Sequence, residues 1–255
     1  MLNWKSVNIT YLYDGTFDGL LTIIFDCFTK KELPSNIEAK GTYQTNLVDA
    51  FIIVETDLEK ANRISSGVLK NISYDVFYNS YCAFLSCTPG KEMAILQYIC
   101  HGFIVGPKVN NMLSISYVFN VSDMRKRVWL EAHRYKGLVR FISASDNIYY
   151  SIIHPDNDVI EILGKHFIQR LSTMNFIIVD KVRNKALLYN NTQLNHYEIM
   201  DVTNLEIPKV SEEEKLYQEM WKAFFKTIAI KERTNPKLQA GYMPRRYWKD
   251  LIEID

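Results

Sequence analysis

The spacing of apolar residues changes at Gly137, from a helical period to short strand-like runs. Before it, Val121, Met124, Val128, Ala132 and Tyr135 recur every three or four positions, which places them on one face of a helix. After it come short apolar runs at 138–142 and 148–153, and then a helical stretch carrying Val159, Ile162, Leu163, His166, Phe167 and Leu171. Two more runs follow at 176–179 and 186–189, with a candidate fifth at 197–200. Strand, strand, helix, strand, strand in that order predicts an α+β fold, an antiparallel sheet with helices packed on one face.

The segment before Gly137 reads as mixed and then helical. A strand at 8–13 turns at Asp14-Gly15, and Thr16 can cap a helix built on Phe17, Leu20, Leu21, Ile24 and Phe28. A polar stretch holding Pro34 precedes a short apolar run at 50–54, read as a buried strand. Helices are expected at 58–72 and 76–86, with a third opened by Pro89 and a fourth from Ser122. Asp158 and Glu161 have capping-box spacing, and so do Ser211 and Glu214 at the start of the last helix. Leu216, Met220, Phe224 and Ile228 form the stripe of that helix, widened by Tyr217, Trp221 and Phe225. Past Ile230 the periodicity fails and an irregular basic-aromatic tail follows. The expected organisation is one domain over 1–230, made of a part to 136, a strand-rich part at 137–205 and a helix at 206–230, with the tail at 231–255 packed on it. Aromatic residues make up 13% of the chain against only 10 Gly and 7 Pro, a balance that suits dense packing.

Several classes fall away. The opening Met1-Leu2-Asn3-Trp4-Lys5 lacks the layout of a signal peptide, and no run approaches the ~18 apolar residues of a membrane span, so a cytoplasmic protein without membrane attachment is expected. Four cysteines (Cys27, Cys82, Cys87, Cys100) make no disulfide framework in a chain this long. Their spacing fits neither structural zinc nor a Cys-x₃-Cys-x₂-Cys cluster loop, and they read as small core residues. Pro89-Gly90-Lys91 lacks the upstream glycine and following Ser/Thr of a phosphate loop. No cofactor and no metal are expected.

Charge is unevenly placed. From Met124 to Arg140 six basic residues stand against Glu131 alone, and from Lys222 to Lys249 eight stand against Glu232 alone. These segments carry +5 and +7, so the rest of a chain whose net charge is +1 carries −11. Such asymmetry points to a polyanionic partner, or else to solvated faces paired with acids elsewhere. In the tail, Arg233, Lys237, Arg245, Arg246 and Lys249 are interleaved with Tyr242, Tyr247 and Trp248. Guanidinium groups neutralise phosphates and rings stack on unpaired bases, although a tail folded back with its rings buried would have the same composition. Candidate nucleic-acid contacts are Lys126, Arg127, Arg134, Arg233, Lys237, Arg245, Arg246, Tyr247 and Trp248. Candidate catalytic groups are Asp14, His133, His166 and Arg170. For Asp14, turn and cap chemistry is the competing reading, and for His166 a hydrogen-bonded core histidine.

Several short segments, in order, resemble a family of uncharacterised bacterial proteins labelled as DNA metabolism or DNA repair proteins. They are Tyr13-Asp14-Gly15-Thr16-Phe17-Asp18-Gly19, Glu131-Ala132-His133-Arg134-Tyr135-Lys136-Gly137 with Arg140-Phe141, and His166-Phe167 with Arg170. The end is the most specific: Ile230, Arg233, Asn235-Pro236 and Met243-Pro244-Arg245-Arg246-Tyr247-Trp248. The resemblance implies a gene neighbour that is a radical SAM protein assigned to DNA modification or repair, and in other members a fused uracil-DNA-glycosylase-like domain. It carries over no catalytic residue.

Three functions are then expected in competition. The first is a DNA-binding accessory protein of a repair or modification system, favouring single-stranded or damaged DNA and working with the radical SAM partner. The second is an enzyme acting on a nucleotide or base through Asp14, His133, His166 and Arg170. The third is an interaction module that docks the radical SAM protein through the aromatic tail.

Overall fold

A computed structural model of the chain describes residues 4–43, 50–144, 148–192, 196–202 and 210–254. Residues 145–147 of the loop expected between the first two runs after Gly137 lie outside the described residues, as does the opening Met1-Leu2-Asn3. The chain forms two compact units, Met1–Trp129 and Leu130–Asp255, and the boundary falls within one long helix.

In the first unit, β1 (Lys5–Tyr13), α1 (Phe17–Lys30) and β2 (Glu32–Ala39) form a βαβ crossover, and β3 (Phe51–Ile53) adds to the other side of β1. The order is β2-β1-β3 and every pairing is parallel. Thr16 caps α1 by accepting the Gly19 N–H at 3.0 Å, and Lys31 closes it in a left-handed conformation. β2 coincides with the polar stretch around Pro34, which an edge strand tolerates because its outer N–H groups need no ladder partner. β3 was expected to be buried, yet Phe51, Ile52 and Ile53 are 44, 45 and 52% exposed, because this three-residue strand forms the opposite edge.

Helices α2 (Leu58–Asn71), α3 (Tyr74–Phe84), α4 (Lys91–Val105) and the start of α5 (Ser116–Leu138) complete the unit. Tyr13, Leu20, Ile24, Val68, Ile95 and Val121 meet in one core. α4 begins at Lys91 behind a left-handed Gly90, so Pro89 lies outside the helix it was expected to open. α5 starts six residues before the expected Ser122.

The second unit holds the end of α5 and a five-stranded sheet, β4 (Ile142–Ser143), β5 (Ile148–Ile153), β6 (Asn175–Asp180), β7 (Lys185–Tyr189) and β8 (Tyr197–Asp201), in that order. β5 and β6 are parallel, joined by α6 (Ile160–Arg170), whereas the other pairs are antiparallel. The α+β class holds, but the sheet is mixed. The reason is the crossover: a helix returning the chain to the starting edge makes its flanking strands parallel. α6 approaches β7 so closely that a Cβ on Gly164 would lie 2.1 Å from Leu187 Cδ1. α6 has no side-chain cap, so the Asp158/Glu161 pairing does not form, whereas Ser211 does cap α7 (Glu212–Ile228) by accepting the Glu214 N–H. The tail is more ordered than expected: α8 (Pro236–Tyr242) and two 3₁₀ turns at Lys231–Arg233 and Arg245–Asp250 organise it.

Candidate nucleic-acid interface

Glu131 anchors the tail. It is 1% exposed near the end of α5, and its carboxylate accepts four hydrogen bonds. Oε1 takes the Asp156 N–H at 3.0 Å and the Tyr247 hydroxyl at 3.2 Å, and Oε2 takes the backbone N–H and side-chain amide of Asn157 at 2.8 and 2.6 Å. A buried carboxylate is tolerable only when saturated in this way. The ring of Tyr247 is 0% exposed and meets the Tyr135 ring edge-on at 4.9 Å. Burial raises the pKa of the Tyr247 phenol above its ordinary value, with the Arg246 hydrogen bond opposing and Glu131 adding to the rise.

Two further clasps follow along the same strand of tail. His154 Nδ1 lies 2.7 Å from Asp250 Oδ1, and its backbone N–H donates to Asp250 Oδ2 at 3.2 Å. Arg140 Nε donates to Glu253 Oε2 at 3.3 Å, and a second guanidinium nitrogen reaches Oε1. Burial pushes the Glu253 carboxyl up, but the hydrogen bonds and charge of Arg140 outweigh it and leave the pKa below the ordinary value.

These clasps sort the expected nucleic-acid contacts into two groups. Arg246 is committed: Nη1 lies 2.7 Å from Asp156 Oδ2, Nη2 donates to the Tyr247 hydroxyl at 2.8 Å, and Glu131 is 3.7 Å away. Tyr247 is equally committed, and a ring with no exposed surface has no face on which a base can stack, so its expected stacking role is corrected to that of an internal wedge. Arg245, by contrast, is exposed with its guanidinium 5.6 Å from the centre of the half-buried Trp248 ring, whose Nε1 donates to the Met243 carbonyl at 2.9 Å. Among the described residues, no carboxylate within 4.0 Å pairs with Arg245, Arg233, Lys237 or Arg134. Lys126 is exposed on α5, and Arg127 there pairs with Asp123 at 2.8 Å.

The four candidate catalytic groups are divided. Asp14 belongs to the first unit, where Oδ1 accepts the backbone N–H and hydroxyl of Thr16 at 2.9 and 2.7 Å and Oδ2 accepts the Thr56 hydroxyl at 2.7 Å. Burial raises its pKa, but these hydrogen bonds outweigh it and the carboxyl lies below its ordinary value. Oδ1 thus shapes the turn before α1, and Oδ2 ties that turn to the segment between β3 and α2. His133, His166 and Arg170 belong to the second unit. His133 and Arg170 are exposed, and His166 is half-buried, packed edge-on against Phe167. Burial lowers the pKa of His166, helped by the cations Lys136 and Arg170. The cavity of about 350 Å³ on the sheet of this unit is lined by Ile177, Leu188, Tyr197 and their neighbours and includes none of the four. Cys27, Cys82 and Cys100 are buried and Cys87 is exposed, and among the described residues no three His, Cys, Asp or Glu side chains converge as a metal would require. No helix among them is long and apolar enough to cross a membrane.

Sequence reasoning missed Glu131, Asp156, Asn157, His154, Asp250 and Glu253. Only Glu131 left a signal: it lies in phase with Met124, Val128 and Tyr135, a carboxylate on the apolar stripe of its own helix. A family model described as a domain of unknown function, DUF4130, matches residues 89–253, more than half of the chain. No curated protein matches it.

Proposed function

The chain belongs to the DUF4130 family, and from that premise we propose that it is a DNA-binding accessory protein of a repair or modification system. The observation that carries the reading is the division of labour in the tail. Arg246, Tyr247, Asp250 and Glu253 are consumed in holding the segment down, through Asp156, Glu131, His154 and Arg140. Arg245 is left outside this network with Trp248 beneath it, and Arg134, Arg233 and Lys237 also stand without carboxylate partners among the described residues. Cations held on a fixed backbone without counter-charges suit a phosphate backbone, and a guanidinium stacked on an indole suits an unpaired base. In this reading the protein positions single-stranded or damaged DNA, and chemistry is supplied by the radical SAM partner that the family resemblance implies.

The test is fluorescence anisotropy of a labelled single strand and of a lesion-bearing duplex, titrated with the full chain at stepped salt concentrations. Affinity should fall linearly on a log–log plot, with a slope that counts several phosphates at about 0.7–0.9 each. Absence of binding at low salt, or affinity indifferent to salt, overturns the proposal.

A further inference from the structure

The first unit carries a groove of about 560 Å³ to which α1 contributes Phe25 and Phe28, α2 contributes Arg63 and Gly67, and α4 contributes Phe103. The rings of Phe28 and Phe103 meet with their centres 5.1 Å apart. Lys31, just past the end of α1, also lines the groove, and its ammonium lies 3.8 Å from the centre of the Phe28 ring and 5.1 Å from that of Trp4. The Arg63 guanidinium lies 4.8 Å from the centre of the Phe25 ring. Phe25 and Phe28 are neighbours on one face of α1, so the two cations rest on successive rings along the groove.

Three features set this groove apart from ordinary apolar surface. Its lining holds no acid, and among the described residues neither Lys31 nor Arg63 has a carboxylate within 4.0 Å. Asp26 of α1 is already taken by Lys60 at 2.8 Å. Lys31 itself holds a left-handed backbone with φ 58°, a position that glycine fills at less cost. Gly67, by contrast, sits inside α2 without a positive φ, where alanine would make a better helix. A Cβ there would lie 3.3 Å from Phe103 Cζ, so the missing side chain keeps the groove open beside that ring.

Two unmatched cations beside aromatic walls call for an occupant that is both anionic and planar. An anion on an alkyl chain would satisfy one cation and leave the other. A nucleotide within a strand offers a planar base with a phosphate on either side, and so uses both. We propose that the groove is a subsite for one unpaired nucleotide of a single strand, its base against Phe28 and Phe103 and its flanking phosphates at Lys31 and Arg63. The proposal rests on the single-strand reading above and adds to it a contact in the first unit, apart from the tail.

A thymidine bisphosphate, phosphorylated on both sugar hydroxyls, carries the base and both phosphates without the rest of a strand. Calorimetric titration of this probe into the full chain should show binding, weakened about ten-fold by Lys31→Gln and by Arg63→Gln. Gly67→Leu should abolish it, and all three variants should keep the wild-type far-ultraviolet circular dichroism spectrum. Decanoate, an anion with no planar group, should not displace the probe. With a labelled single strand, each charge variant should lower the salt slope by about 0.7, the value for one phosphate. No binding of the bisphosphate, binding indifferent to both charge variants, or displacement by decanoate overturns the inference. So does strand binding whose salt slope is unchanged in Lys31→Gln and Arg63→Gln, and in that case the tail reading stands. A wild-type chain that binds neither probe overturns both.

Discussion

The hydroxyl of Tyr247 donates to the carboxylate of Glu131, and both residues are buried although 116 positions separate them. This bond joins the tail to α5, and Asp156 and Asn157 join the loop after β5 to the same carboxylate. Three distant stretches of chain therefore share one acceptor. Removing the acceptor strands more partners than removing any one donor.

Tyr247→Phe keeps the ring against Tyr135 and deletes two hydrogen bonds, one to Glu131 and one from Arg246, and it should cost about 1–3 kcal/mol. Glu131→Ala leaves the Asn157 amide and two backbone N–H groups without their acceptor, and it should cost roughly 3 kcal/mol or more. Urea unfolding followed by tyrosine and tryptophan fluorescence compares the two. Equal losses would show that the acid has no central role.

Gly164 permits the close approach of α6 to β7. Gly164→Ala should destabilise by about 1–3 kcal/mol through the clash with Leu187. Adding Leu187→Ala removes the clashing atoms, so the double variant should lose less than the two single losses summed. Strict additivity in the same unfolding assay would mean that the helix simply shifts away.

Acid unfolding should register the Arg140–Glu253 clasp. The carboxyl of Glu253 has a folded pKa below its ordinary value of about 4.3. Its contribution is therefore fully present above that value and is lost as pH falls through the lowered folded pKa. Arg140→Met removes the cation responsible, so the stability gap between wild type and variant should be widest near neutrality and should narrow below about pH 4. Denaturant midpoints measured from pH 3 to pH 7 test this, and a constant gap counts against it.

Neighbouring arginines should behave differently on DNA. Arg245→Gln should lower the salt slope of binding by about one phosphate and cost no more than the exposed stacking on Trp248, about 0.5–1 kcal/mol. Arg246→Gln breaks contacts to Asp156 and Tyr247, so its main effect should appear in denaturation. Anisotropy and urea titrations on the same two variants separate the roles. Identical behaviour of the two variants in both assays would remove the distinction.

Helices were the most legible part of the sequence, because Val121, Met124, Val128 and Tyr135 repeat at a period that burial imposes and all four are buried. The cap at Ser211 was readable for a similar reason: a cap is chemistry among near neighbours in the chain. Strand direction was not. β5 and β6 look alike as apolar runs whichever way they run, and only the placement of α6 between them makes them parallel. β2 was missed because an edge strand needs no apolar alternation and accepts Pro34. Tyr247 and Arg246 stood out in composition as recognition residues, whereas their commitments to Glu131 and Asp156 span 116 and 90 positions and leave no local trace.

The long span of the Glu131 contact also constrains how the protein is made. Glu131 leaves the ribosome well before Arg246, Tyr247 and Glu253, so during synthesis its carboxylate waits with part of its set of partners missing. Local helices can form meanwhile, but the second unit can close only after residues 246–253 have been translated. A ribosome stalled before that point would hold α5 and the strands as an unfinished, chaperone-attractive intermediate.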